Sequence, residues 1–337
     1  MILKFIFFLI LFYLINEFFI KKNILPSFTG NIHQQYASES SKQLTGGIFF
    51  IFSFLLYNID SLKVYYLFFL GIFIIGFLSD INKLNSARFR FFLQILVILL
   101  FVFLYDVKIY STWIIFLDDI LKHQFLNYIF VSFCILIVIN GSNFIDGLNT
   151  LLIGYYTILI LIIFKLIKVN GLYIDVELFS LFFSLIIIFI LNLFNKLYSG
   201  DSGSYLLGFF FSFLLISLYN LNVFISPYFI VLLLWYPGFE NLFSIIRKYK
   251  SAKSPLSPDK RHLHQLLFSF IEKSFNLKKY SANLVAANLI NLFNGAVFLL
   301  GSFFLRSTNI QIAIILFNVI LYCLIYMLLT KYKSKIN

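Results

Sequence analysis

Charge is scarce in this chain: only 12% of its 337 residues are Asp, Glu, Lys or Arg, whereas 61% are hydrophobic. A soluble domain of that length needs far more polar surface to stay dispersed, so an ordinary water-soluble globule is excluded. Cysteine is limited to Cys134 and Cys323, both inside apolar stretches and far apart, which excludes a CxxC redox or zinc pattern. The opening run, residues 1–20, lacks a small-residue cleavage site and carries Asn16 and Glu17. It is therefore expected to be a first helix rather than a removed leader. The short alternating segments of a transmembrane barrel are also missing.

What fills the chain instead is apolar sequence, with 47 Phe and 21 Tyr. Backbone groups in lipid must be satisfied internally, and long continuous apolar runs achieve this only as helices. The expectation is an all-α, polytopic membrane protein, with residues 1–337 forming one membrane-embedded domain. Eleven spans are read: 1–20, 44–58, 64–79, 89–105, 125–141, 147–167, 176–194, 203–219, 224–240, 281–305 and 309–329. A long loop at 241–280 carries a basic, histidine-containing motif. An odd number of spans puts the termini on opposite sides. Counting by loop then gives 19 Lys and Arg on one side and seven on the other. The positive-inside rule makes the first side cytoplasmic, with the N-terminus outside and the C-terminus inside. The net charge of +12 matches basic loops facing anionic lipid and gives no support for nucleic-acid binding.

This orientation sorts the acidic residues. Asp80 (in GFLSDINKL), Asp146 (in NFIDGLN) and Asp201 (in YSGDSGS) all fall at cytoplasmic ends of apolar runs. A carboxylate beside a bilayer is costly unless a cation or a catalytic task retains it. Asp118 and Asp119, with His123 close by, fall outside with Asp60, Asp106, Asp175 and Glu177, and are read as loop solvation. Asp80 is followed by Lys83, Ser86, Arg88 and Arg90, which suit phosphate oxygens; the bland alternative is a helix-end carboxylate with snorkelling bases. Asn143, Asp146 and Asn149 are spaced i, i+3, i+6. A continuing helix puts these oxygens on one face, while a turn at Gly147 starts a new helix instead. Such hard donors suit Mg²⁺ together with substrate phosphates. Asp201 lies among Gly200, Ser202, Gly203 and Ser204, ahead of an apolar helix whose first N–H groups favour anions.

The string Lys253-Ser-Pro-Leu-Ser-Pro-Asp-Lys-Arg-His-Leu-His264 holds two of the chain's four histidines. Its prolines keep the approach extended, and the His-Leu-His alternation then points His262 and His264 the same way. Imidazoles and the adjoining Lys260 and Arg261 can bind a pyrophosphate. A zinc pair or a basic loop touching anionic lipid are the competing readings.

These strings resemble the polyprenyl-phosphate N-acetylhexosamine-1-phosphate transferase superfamily. Gly76-Phe-Leu-Ser-Asp80 with Leu84, Ser86, Arg90 and Gln94 is similar to its GFLDD…LS…R…Q region. Asn143 to Asn149 resembles NF-x-DG-x-N/D, Gly200 to Ser204 with Leu207-Gly208 resembles GD-x-GS…LG, and Ser254 to His264 resembles SPF-x-PD-R-x-H-x-H. The resemblance covers roughly residues 40–270. It implies a bacterial inner-membrane enzyme that transfers an N-acetylhexosamine 1-phosphate, or a deoxy relative, from a UDP-sugar to undecaprenyl phosphate and releases UMP. It also implies that Asp201 coordinates Mg²⁺ (Mn²⁺ as substitute), with Asp80 and Asp146 in the same acidic pocket. Asn143 and Asn149 contact the nucleotide sugar or order the carboxylates, and His262 and His264 contact phosphates. Lys83 and Arg261 are further electrostatic partners. A homodimer is left open.

Three departures stand out. The family's paired aspartates are Ser79-Asp80 here; its Pro/Arg-rich, paired-glycine string is reduced to Leu44-Thr-Gly-Gly47; and Gln265 follows His264 where some relatives have histidine. They keep a catalytically degenerate scaffold in view. A secondary transporter is the other alternative, although such proteins place substrates near the bilayer midplane, often between paired repeats.

Overall fold

A computed structural model describes residues 2–25, 43–57, 63–173, 178–250 and 261–336. Asp60, Asp175, Glu177 and the Ser254–Lys260 stretch lie outside the described residues. Apolar composition and internal hydrogen bonding produce helices throughout, in the order α1 (Ile2–Lys22), α2 (Gly46–Tyr57), α3 (Tyr66–Asp80), α4 (Ala87–Leu104), α5 (Ile115–Leu121), α6 (Gln124–Ile145) and α7 (Leu151–Asn170). There follow α8 (Leu178–Leu193), α9 (Gly200–Leu221), α10 (Pro227–Leu233), α11 (Trp235–Lys250), α12 (Leu263–Ser274), α13 (Lys279–Phe303) and α14 (Thr308–Ile336). Local chemistry sets the ends. Ser86 caps α4 by accepting from the Phe89 N–H at 3.3 Å, and Gly171 closes α7 in the left-handed region at φ +65°.

The eleven-span reading is overturned. Among the described residues, six helices are long and apolar enough to cross a membrane: α4, α6, α7, α9, α13 and α14. A seventh arises if α10 and α11, bent by 74° at Leu234, count as one broken span. The expected 224–240 span is this bent pair. Helices α2, α3 and α8 hold 12, 15 and 16 residues. At about 1.5 Å per residue they run roughly 18 to 24 Å, short of the ~30 Å hydrocarbon core. Helix α1 carries Glu17, Lys21 and Lys22 within its last six positions and does not enter the count. The outside N-terminus and cytoplasmic C-terminus rest on the loops of eleven spans, and six or seven spans do not reproduce those loops. Much of the expected 241–280 loop is helical, since α11 runs to Lys250 and α12 occupies Leu263–Ser274.

Helix α9 is the central post. It packs against α3, α6 and α2. Small residues allow these close approaches: a Cβ added at Gly76 of α3 would lie 2.5 Å from Ser202 Cα, and one at Gly47 of α2 would lie 2.5 Å from Gly203 N. Farther along α9, Phe209, Phe210 and Phe213 interlock with Phe69 and Phe101, and Phe211 stacks on Tyr156 with centroids 4.1 Å apart. A short backbone pairing ties the start of α2 to the approach to α9, through Tyr198 N–H to Gln43 O at 2.9 Å and Gly46 N–H to Tyr198 O at 3.0 Å. The polar ends of α3, α6 and α9 are thereby gathered at one end of the bundle.

Candidate active site

The last residue of α3 meets the first turn of α9. Asp80 is buried, and its Oδ1 accepts the Asp201 N–H at 2.8 Å while Oδ2 accepts the Ser202 N–H at 3.1 Å. These are amide donors that a helix start otherwise leaves unpaired, and the helix dipole favours a carboxylate there. Gly200 permits the approach, because it sits at φ +71° and a Cβ would fall 2.6 Å from Asp80 Oδ2. Burial, together with the Asp201 charge, raises the Asp80 carboxyl to about 7 against the opposing pull of these hydrogen bonds.

Asp201 points into the junction of α3, α4, α6 and α9. Its Oδ1 accepts from Asn143 Nδ2 at 2.7 Å, and its Oδ2 accepts from the Ser79 hydroxyl at 2.6 Å. The Tyr205 hydroxyl lies 3.4 Å away, and Arg90 Nη1 lies 3.8 Å from Oδ2. Arg90 itself donates to Ser79 Oγ and to the Leu84 carbonyl. Asn143 also donates to Ser204 Oγ at 3.1 Å. Asp146 follows directly on α6. Burial raises its carboxyl well above the ordinary range, and the charges of Asp201 and Asp80 push the same way, so the three carboxylates share one electrostatic environment.

Asn149 is placed differently. Helix α6 ends at Ile145 and α7 begins at Leu151, so the i, i+3 face is broken at Asn149. Thr150 turns through φ +66°, an uncommon conformation for a non-glycine residue. Polar side chains brace this turn. Asn149 N–H donates to Asn283 Oδ1 at 2.8 Å, its side-chain amide donates to Asn195 Oδ1 at 3.1 Å, and Asn291 donates to the Thr150 carbonyl at 2.9 Å. Asn149 is buried in this network, apart from the Asn143–Asp201 pair.

The histidine string reaches the same turn from the other side. His262 precedes α12 in extended conformation, and its ring stacks on that of His264 with centroids 5.7 Å apart and planes 12° from parallel. Phe144 packs on His262 at 5.1 Å. His264 is fully buried over Gly147, where an added Cβ would be 2.2 Å from Nε2. Among the described residues, neither ring nitrogen of His264 has a hydrogen-bond partner. Burial pushes its pKa down to about 3, so the ring is neutral at physiological pH. Arg261 offers its carbonyl to Arg247 Nη1 at 2.7 Å, and Lys83 is exposed in the turn after Asp80.

Two features escaped the sequence reading. Tyr205 and Ser204 complete the surroundings of Asp201, from within a stretch read only for its glycines and capping serines. Glu240 is fully buried, 2.8 Å from His262 Nδ1. Its signal was a lone carboxylate at the end of an apolar run, the criterion that had singled out Asp80, Asp146 and Asp201. Among the described residues, no group of three or more His, Cys, Asp or Glu is arranged to hold a metal ion.

Residues 62–219 match the model of glycosyl transferase family 4. A Bacillus subtilis protein named as a probable undecaprenyl-phosphate N-acetylglucosaminyl 1-phosphate transferase is 29% identical over 207 residues, 59% of this chain and 56% of that protein. The alignment thus spans little more than half the length of that relative. A Thermotoga maritima protein named as an undecaprenyl-phosphate alpha-N-acetylglucosaminyl 1-phosphate transferase is 26% identical over 250 residues, 74% of each chain. The matched segment, a little under half of the chain, contains Asp80, Arg90, Asn143, Asp146 and Asp201, the residues joined at the ends of α3, α4, α6 and α9; over that segment the chain is similar to glycosyl transferase family 4.

Proposed function

We propose that this chain transfers an N-acetylhexosamine 1-phosphate from a UDP-sugar to undecaprenyl phosphate, with release of UMP, at the pocket around Asp201. The observation that carries the reading is the convergence on Asp201 of Asn143, Ser79 and Arg90 from three other helices. A lipid-phosphate oxygen attacks the sugar-bearing phosphorus of the donor. The bond between that phosphorus and the bridging oxygen breaks, the electron pair leaves with UMP, and a pyrophosphate-linked lipid sugar remains. The attacking oxygen already carries negative charge, so the chain's task is alignment and charge neutralisation rather than proton removal. The names of the two relatives make UDP-N-acetylglucosamine the first donor to test. A water-soluble donor and the basic side chains around this end of the bundle support reading the pocket as facing the cytoplasm from a bacterial inner membrane.

The donor set fits Mg²⁺. Asp80 is buried with a backbone N–H on each oxygen, whereas the Asp201 side chain is 27% exposed. Its oxygens each accept one close neutral donor, which leaves lone pairs for a cation. Mg²⁺ commonly binds one or two carboxylates plus substrate phosphates, so a cage of three protein ligands is unnecessary. When bound, it would polarise phosphoryl oxygens and shield their charge. The chain's own residues do the remainder. Asn143 fixes the Asp201 carboxylate, Arg90 balances negative charge, and His262 offers a ring nitrogen to phosphate, with Lys83 and Arg261 as further electrostatic partners.

The test is turnover by purified protein with undecaprenyl phosphate and a panel of UDP-N-acetylhexosamines, including 6-deoxy sugars. UMP release coupled to a lipid-linked sugar of the expected mass supports the reading. Absence of product with every donor, from folded protein, overturns it.

A further inference from the structure

Glu240 lies on α11, fully buried and away from the three motif carboxylates. An ionised carboxylate without solvent needs donors on its oxygens. Both are supplied: His262 Nδ1 lies 2.8 Å from Oε1, and the Tyr322 hydroxyl of α14 donates to Oε2 at 2.7 Å. The backbone that carries Glu240 is itself fixed by a close crossing, since a Cβ added at Gly141 of α6 would lie 2.1 Å from the Pro237 carbonyl. The other nitrogen of His262 is in a contrasting position. Among the described residues Nε2 makes no hydrogen bond, and it is not sealed from solvent as both nitrogens of His264 are.

We propose that Glu240 is a positioning residue for His262: its carboxylate accepts the hydrogen bond of the Nδ1–H, fixes the ring and presents Nε2 to a substrate phosphate, with Tyr322 holding the carboxylate in turn. The proposal rests on the phosphoryl-transfer reading above. In imidazole, the hydrogen bond made by one nitrogen decides what the other can offer. With Glu240 at Nδ1 and a phosphate oxygen at Nε2, negative groups stand at both ends of the ring and it donates to both. Stacking against His264 and Phe144 restricts tilting, and the Glu240 bond fixes rotation within the ring plane. A buried carboxylate that orients a histidine has the same logic in hydrolytic triads, where the amide replacement preserves shape and loses the required tautomer.

The chain has four histidines, which makes imidazole ¹⁵N NMR tractable, with His262→Gln used to assign the His262 signals. In wild-type protein His262 should carry its proton on Nδ1, whether or not Nε2 is also protonated. Glu240→Gln should shift the His262 nitrogen signals and lower kcat/KM by about 10–100-fold. Glu240→Asp should recover part of that loss, and Tyr322→Phe should cost only a few-fold. A bare Nδ1 in the wild type overturns the proposal, and this measurement remains decisive if Glu240→Gln does not fold. So does a folded Glu240→Gln enzyme with full activity. If no donor supports turnover in the wild type, the transfer reading fails, while the tautomer still judges the Glu240–His262 link by itself.

Discussion

The Ser79 hydroxyl donates to Asp201 Oδ2 at 2.6 Å while accepting from Arg90, so a neutral group bridges an anion and a cation that are themselves 3.8 Å apart. In the resembled family an aspartate occupies this place. Here the serine removes one negative charge from a pocket that already holds Asp80, Asp146 and Asp201.

The bridge makes Ser79 testable by size and charge. Ser79→Ala lets Arg90 close on Asp201 directly and occupies the oxygen reserved for substrate or cation. We expect a fall of about 10-fold in kcat/KM, near 1.4 kcal/mol. Ser79→Thr, which keeps the hydroxyl, should remain within a few-fold of wild type. Ser79→Asp cannot donate in its ionised form and sets a carboxylate against Asp201, so it should also lose activity. A Ser79→Asp enzyme faster than wild type would show that the chain still functions as a two-aspartate site.

Asp80 and Asp201 should separate stability from catalysis. Asp201→Asn keeps the helix start and removes the exposed charge; activity should drop by at least ~100-fold, about 2.7 kcal/mol, with little change in thermal stability. Asp80→Asn turns an amide NH₂ towards at least one of the two N–H donors now accepted by the carboxylate. That variant should melt earlier as well as lose activity. Chelation by EDTA should stop the wild-type reaction, with recovery on adding Mg²⁺ or Mn²⁺. Turnover that ignores EDTA would remove the cation from the mechanism.

At the far end of the bundle, Asp118 accepts from Ser111 Oγ at 2.7 Å and from the Thr112 N–H and hydroxyl, both at 2.6 Å. Burial opposes ionisation, but these hydrogen bonds win and hold the carboxyl below its ordinary pKa. A folded-state pKa below the unfolded value gives stability that is present above the ordinary aspartate range and fades as pH falls through it. Asp118→Asn should therefore cost roughly 1–2 kcal/mol near neutral pH and progressively less in acid, with transferase activity retained. Thermal melts across pH, beside the UMP assay, check both halves. An equal loss at every pH would mean that the amide disrupts the turn by shape alone.

The parts of the site that were legible in sequence share one physical signature, a carboxylate or imidazole inside a short polar string at the end of an apolar run. Asp80 and Asn143 both reach Asp201 because helix ends are where polar groups escape lipid. The partner of each was less visible. Asp80 bonds to the backbone of α9, and no residue pattern announces that bond. Asn149 shares its string with Asn143, yet one turn with positive φ at Thr150 diverts it into a separate network. Glu240 stood alone in an aromatic stretch, and only the 74° bend between α10 and α11 together with the crossing at Gly141 explains how α11 brings it to His262. The span count failed for a related reason: apolar stretches of 12 to 16 residues look like spans in composition while being too short in length.

The contact between Gly147 and His264 offers the sharpest test of how the histidine string is seated. The Asp146–Gly147 turn receives the His264 ring so closely that a methyl group would stand 2.2 Å from Nε2, inside any tolerable contact distance. Gly147→Ala must push the ring, and His262 stacked on it, away from Asp146. His264→Ala removes the obstacle together with whatever the ring contributes to phosphate binding. The two substitutions therefore act on one event, and their effects on kcat/KM should not add: the double variant should be no slower than the slower of the two single variants, within a factor of about 2. Independent sites instead give the product of the two losses. Measuring all four enzymes with the same donor decides the matter. Full additivity would mean that the His264 ring leaves the Gly147 turn in the working enzyme, and that the histidines approach the phosphates from elsewhere.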